Sequence, residues 1–124
     1  MSDYELVYPF QRGGLHRMPI SDVEQARVVQ LLVRDLRATT RAGHDYLALN
    51  NATRLRQFID DVTSYIQCVV EDTQQDMHDE FIDTAWPRCP RHAHPLWFRD
   101  GAWWCERDGL RVAPLGELDT NGAA

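Results

Sequence analysis

The chain has 124 residues, a net charge of −6, 44% hydrophobic and 26% charged residues. That composition fits a folded globular protein rather than a disordered tail, and the length suffices for one small core plus an appendage that needs its own cross-link. No apolar run approaches the roughly 20 residues a bilayer span requires, and MSDYELVYPFQRGG has neither the basic flank nor the apolar block of a secretory leader, so no membrane and an intracellular setting are expected.

Charge is distributed unevenly. Residues 1–50 and 87–124 each balance arginines against carboxylates, whereas 51–86 sets Arg54 and Arg56 against Asp60, Asp61, Glu71, Asp72, Asp76, Asp79, Glu80 and Asp83. Such a segment repels a phosphate backbone and reads as a solvated face. All 13 basic residues are arginine.

In chain order, residues 1–20 alternate Tyr4, Leu6, Tyr8 and Phe10 with Pro9, Gly13, Gly14 and Pro19, the pattern of an extended arm. Ser21 and Glu24 form a capping box, and Val23, Ala26, Val29, Leu32, Val33 and Leu36 recur at helical spacing up to a stop at Gly43. HDYLALNN reads as a linker ending in an N-cap at Asn50 or Asn51. A second helix then runs from about residue 52 to Ala85, with Leu55, Ile59, Val62, Ile66 and Val69 as a seam and Trp86-Pro87 as its stop. At 1.5 Å per residue it would be about 50 Å long and must project, kink or find a partner. Cys68 lies beside the seam as a small buried residue; His16, His44 and His78 read as ordinary polar residues.

The chemistry is concentrated at WPRCPRHAHPLWFRDGAWWCERDG, residues 86–109. Cys68, Cys89 and Cys105 are an odd number, which disfavours a disulfide framework and leaves thiolates for metal. Cys89 and His92, two residues apart with Pro90 between, form a knuckle suited to one tetrahedral zinc. Asp100-Gly101 is a hairpin turn signal. With those two as the loop, Arg99 faces Ala102, Phe98 faces Trp103, Trp97 faces Trp104 and Leu96 faces Cys105. Continued alternation brings His94 diagonally to Cys105 on one face and puts Trp97 and Trp104 on the other. The expected metal ligands are Cys89, His92, His94 and Cys105, with Asp108 a rival to His94. LRVAPLGEL supplies a third strand over the hairpin.

CPRH, a hairpin and CERDG together resemble the zinc ribbon family, small three-stranded modules built on two knuckles of the Cys-x2-Cys type, with His92 and Asp108 standing where cysteines are usual. The phrases WPRCPRHAHPL and VAPLGEL also resemble small proteins of high-GC bacteria and their phages. The expected fold is therefore α+β: arm 1–20, long helical hairpin 21–86, zinc-ribbon-like module 87–118 and flexible tail 119–124. The expected role is a non-enzymatic interaction or assembly protein, cytoplasmic or in a phage virion, with structural Zn2+, protein partners and a homo-oligomeric or larger state. Arg88, Arg91, Arg99, Arg107 and Arg111 interleaved with tryptophans keep a nucleic-acid-binding ribbon, or a regulatory adaptor, as the alternative.

Overall fold

The computed structural model describes residues 19–41, 43–80 and 82–119. The expected arm, apart from Pro19 and Ile20, and the expected tail, apart from Asp119, lie outside the described residues. Three helices precede a three-stranded antiparallel sheet: α1 (Asp22–Thr39), α2 (Asp45–Leu55), α3 (Val62–Asp79), β1 (Trp97–Arg99), β2 (Ala102–Cys105) and β3 (Leu110–Pro114), in sheet order β1-β2-β3. The class is mixed α+β. None of the described helices is long and apolar enough to cross a membrane.

The capping box at Ser21 starts α1 as the sequence predicts: its hydroxyl accepts from the backbone N–H of Glu24, and the Glu24 carboxylate accepts from the N–H of Ser21. The buried stripe is Val28, Leu32 and Leu36. It is rotated from the predicted one, since Val23 is 76% exposed and Val29 and Val33 are half-buried.

The single long second helix is corrected to two. HDYLALNN is not a linker, because most of it is helical and Leu47, Ala48, Ala52 and Leu55 bury one face of α2. Asn51 is no cap but a buried mid-helix donor, bonding Thr73 at 3.1 Å and Asp76 at 2.9 Å. The chain then turns where Phe58 and Ile59 both donate to the carbonyl of Leu55, and Asp61 caps α3 by accepting from the Ser64 N–H at 2.8 Å. This break solves the length problem, since α3 folds back against α2. Tyr65 is fully buried there and its hydroxyl donates to the carbonyl of Ala52 at 2.7 Å; burial pushes its pKa up to about 12. At the far end α3 stops at Asp79, six residues short of the predicted Ala85.

The expected hairpin register holds: Trp97 pairs with Trp104, Phe98 with Trp103 and Arg99 with Ala102, and both Asp100 and Gly101 have positive φ. The predicted third strand is β3. One face of α3 covers the outer edge of β1, where an exposed row of carbonyls would otherwise invite strand addition. Gln67 donates to the carbonyl of Phe98 at 2.8 Å, and Gln74 donates to those of Leu96 at 2.8 Å and Trp86 at 3.2 Å. The inner residues Leu96, Phe98, Trp103 and Cys105 belong to the same buried cluster as the helix residues.

The link between α1 and the sheet is a buried carboxylate. Asp35 Oδ2 accepts from the Trp103 indole and the Gly116 N–H, each at 2.8 Å, and Oδ1 accepts from the Leu118 N–H at 2.9 Å. Gly116 has φ +88°, and a Cβ there would come within 2.6 Å of the Leu31 side chain and 3.3 Å of its Cα, so this approach to α1 requires glycine. Burial raises the Asp35 pKa above 3.8 against the opposing pull of its three donors.

Asp35→Ala is expected to leave three N–H groups unpaired and cost about 3 kcal/mol or more, at about 1 to 3 kcal/mol per orphaned buried donor; urea unfolding would show a lower midpoint at unchanged slope. Between the ordinary and the raised pKa the folded state binds more protons than the unfolded one, so the stability linked to Asp35 falls as pH rises through that window. Unfolding curves of Asp35→Asn across the same range should lack that slope.

Candidate metal centre

Two loops meet beyond the ends of β1 and β2. In the first, the chain does not continue as a strand to His92. It stays extended back to His94 and pairs with residues 87–89: the Leu96 N–H donates to the carbonyl of Pro87 at 2.6 Å, the Cys89 N–H donates to the carbonyl of His94 at 3.0 Å, and Arg88 bridges Pro95. This narrow ladder, with Pro87, Pro90 and Pro95 stiffening it, leaves residues 90–93 as the knuckle. His94 thus stays in the extended segment on the side of the buried Leu96 and Phe98, as the alternation predicts, whereas His92 lies in the knuckle. In the second loop Cys105 ends β2 and Gly109 donates to its carbonyl at 2.8 Å, with φ +67° at Gly109 closing the turn.

The donor atoms of Cys89, His94 and Cys105 lie within 4.8 Å of one another, and so do those of His92, Cys105 and Asp108. The two groups share Cys105. Cys89 and Cys105 are buried, His92 and His94 half-buried, and no disulfide joins the thiols. The four expected ligands and the rival Asp108 thus fall into two groups that adjoin at Cys105.

His94 is the informative member. Its Nδ1 lies 2.9 Å from the carbonyl of Pro95, which can only accept, so Nδ1 carries the proton and Nε2 the lone pair. That Nε2 is buried without a hydrogen-bond partner, the one such side-chain nitrogen or oxygen found among the described residues. A buried lone pair without a donor is costly, and a ring whose other nitrogen donates to a backbone carbonyl is the usual arrangement of a metal-ligating histidine. The His92 and His94 rings stack at 5.4 Å with 12° between planes. His92 Nε2 lies 3.0 Å from Asp108 Oδ2, which also receives Arg91 at 3.0 Å. The His92 hydrogen bond, with the Arg91 guanidinium beside it, holds Asp108 below the ordinary carboxylate range despite some desolvation, so it accepts as an anion.

The sheet's two faces differ in chemistry. Inside, Trp103 packs edge-on against Trp86 at 5.6 Å and Phe98 at 5.1 Å, and the Trp86 indole donates to Thr39 at 2.7 Å. Outside, Trp97 is 42% exposed with the Arg99 guanidinium 5.2 Å from its ring centroid, and the Trp104 indole donates to the carbonyl of Arg99. The sequence did not signal the Thr39, Gln67 and Gln74 contacts, because isolated polar residues on a helix carry no periodic pattern.

The molecule is thus a mixed α+β protein with a Cys/His cluster that can hold a metal ion. Comparison with family models, curated proteins and solved structures finds no match for the chain.

His94→Phe tests the cluster. Without metal it removes the unpartnered Nε2 together with the Nδ1–H bond to Pro95, a net loss of about 1 kcal/mol or less that should lower the melting temperature by only a few degrees. With zinc at about 1,000 times the wild-type Kd, the wild type gains about 4 kcal/mol by mass action, and the variant should lose most of that gain in a thermal melt.

Proposed function

We propose that the protein is a non-enzymatic interaction or assembly protein whose two C-terminal loops are locked by one structural zinc ion held by Cys89, His92, His94 and Cys105. The observation that carries the metal is the buried, unpartnered Nε2 of His94 beside two buried thiols. Two sulfur and two nitrogen donors suit a structural zinc, and four protein ligands fill a tetrahedral ion, leaving no position for a substrate or an activated water. The resemblance of CPRH and CERDG to zinc ribbon knuckles agrees with this reading. The cysteines and histidines then serve shape, and the exposed surfaces serve contact with a protein partner, a second copy or a larger particle. Native mass spectrometry is expected to find one zinc per chain, and a strong chelator should lower the melting temperature and loosen residues 88–94 and 105–109 in hydrogen exchange. A metal-free chain whose melting and exchange ignore the chelator would defeat the proposal.

A second reading is favoured by the outer face, where Trp97 and Trp104 pair across β1 and β2 with Arg99 over one ring and Arg111 beside the other. Indoles flanked by guanidinium groups stack on unpaired bases. If this face binds single-stranded nucleic acid, an oligonucleotide should quench tryptophan fluorescence in a salt-sensitive titration, and Trp97→Ala should weaken binding about 10-fold, the loss of roughly one stacked base. An unquenched signal at low salt would remove this reading.

A further inference from the structure

Asp108 occupies the position at which a second knuckle of the Cys-x2-Cys type would place its last ligand, yet its surroundings assign it a different task. Its Oδ2 is already engaged twice, by His92 Nε2 at 3.0 Å and by the Arg91 guanidinium at 3.0 Å. To ligate a metal through that oxygen the carboxylate would have to give up two charge-assisted N–H contacts. The two histidines meanwhile follow one rule. His94 commits Nδ1–H to the carbonyl of Pro95 and leaves Nε2; His92 commits Nε2–H to Asp108 and leaves Nδ1. In each ring an oxygen of the protein fixes the tautomer and leaves one lone pair, the preparation a metal ligand needs. The stacked, nearly parallel rings show that both imidazoles are oriented together.

We infer that Asp108 is a positioning residue rather than a ligand: with Arg91 it orients the His92 ring, so that the ion is bound through Nε2 of His94 and Nδ1 of His92, together with the two thiolates. This rests on the proposal of a structural zinc in the same cluster. It also explains how a loop of the form CERDG serves a zinc site without a second cysteine. His94, supplied by the first loop, replaces the missing ligand, and the carboxylate acts one shell further out. Arg91 has a part as well, because it balances a charge that would otherwise stand beside the Cys105 thiolate.

The test uses the full chain and zinc itself. Affinity is measured by competition with a chromophoric chelator for the wild type, Asp108→Asn, Asp108→Ala and His92→Ala, and X-ray absorption counts the imidazoles on the bound ion. Loss of an outer hydrogen-bond partner typically weakens metal binding 10- to 100-fold. Asp108→Ala is expected in that range, Asp108→Asn to lose less because its amide oxygen still accepts from Nε2–H, and both to keep two imidazoles and two sulfurs. His92→Ala should lose one imidazole. Asp108 is an exposed loop residue, so folding of its variants is not at stake, and circular dichroism of the zinc-free chains confirms it. Wild-type affinity in Asp108→Ala would overturn the inference while leaving the zinc proposal standing. So would a wild-type ion with one imidazole and a carboxylate oxygen that Asp108→Ala removes. A wild type that takes up no zinc would instead sink the parent proposal.

Discussion

A single buried carboxylate holds the two halves of this molecule in register. Asp35 projects from the middle of α1 and collects donors from the β2 indole of Trp103 and from the backbone at Gly116 and Leu118. A three-stranded sheet with strands of three to five residues is marginal by itself. It becomes rigid here because α1 grips it at one side through Asp35, and α3 covers its β1 edge through Gln67 and Gln74. The carboxylate is desolvated, and its ionised form is tolerated only because both oxygens meet N–H donors. The close passage at Gly116, where any Cβ would strike Leu31, is the steric condition for that arrangement.

This changes what a metal would have to supply. A hairpin without a core would need an ion for its whole stability, but Phe98 and Trp103 are fully buried among helix residues and Trp86. The sheet already has a floor. What lacks a hydrophobic anchor is the loop end: residues 90–93 and 106–109 are mostly exposed, and the buried members there are the thiols of Cys89 and Cys105. An ion in the cluster would therefore act locally, tying the knuckle to the β2 turn, and its removal would open the loops before it threatened the helices. Stability graded in this way along a chain is ordinary, and contact surfaces are often drawn from its less stable end.

The sequence was most legible where geometry is short-range. The Ser21 capping box, the Asp100-Gly101 turn and the three cross-strand pairs follow from neighbours a few residues apart, and each is present. The long second helix failed because apolar spacing through Ile59 imitates a continuous seam while the competing signal, Asp61 capping α3 through the Ser64 N–H, is a single contact three positions long. The approach of Cys89, His92, His94 and Asp108 to Cys105 was foreseeable from spacing and alternation, but the narrow backbone ladder of 87–89 against 94–96 that shapes the knuckle was not. Asp35 was invisible, since one aspartate inside an apolar stripe looks like any solvated residue until three donors from 68 or more positions away arrive around it.

The strand pleat separates two kinds of chemistry that the sequence interleaves. Alternation along β2 sends Trp103 and Cys105 inward and Trp104 outward, so the indole–guanidinium face and the thiol cluster are back to back on one strand. Rearranging the loops at Cys105 would shift the end of β2, and with it the Trp104 indole, whose N–H is fixed to the carbonyl of Arg99. The exposed face and the cluster are thus mechanically joined through a four-residue strand. Trp103, the residue before Trp104 on that strand, is anchored from the opposite side by Asp35. If an ion locked the loops, it would fix the end of β2 from behind, and a ligand on the outer face would meet that strand from the other side.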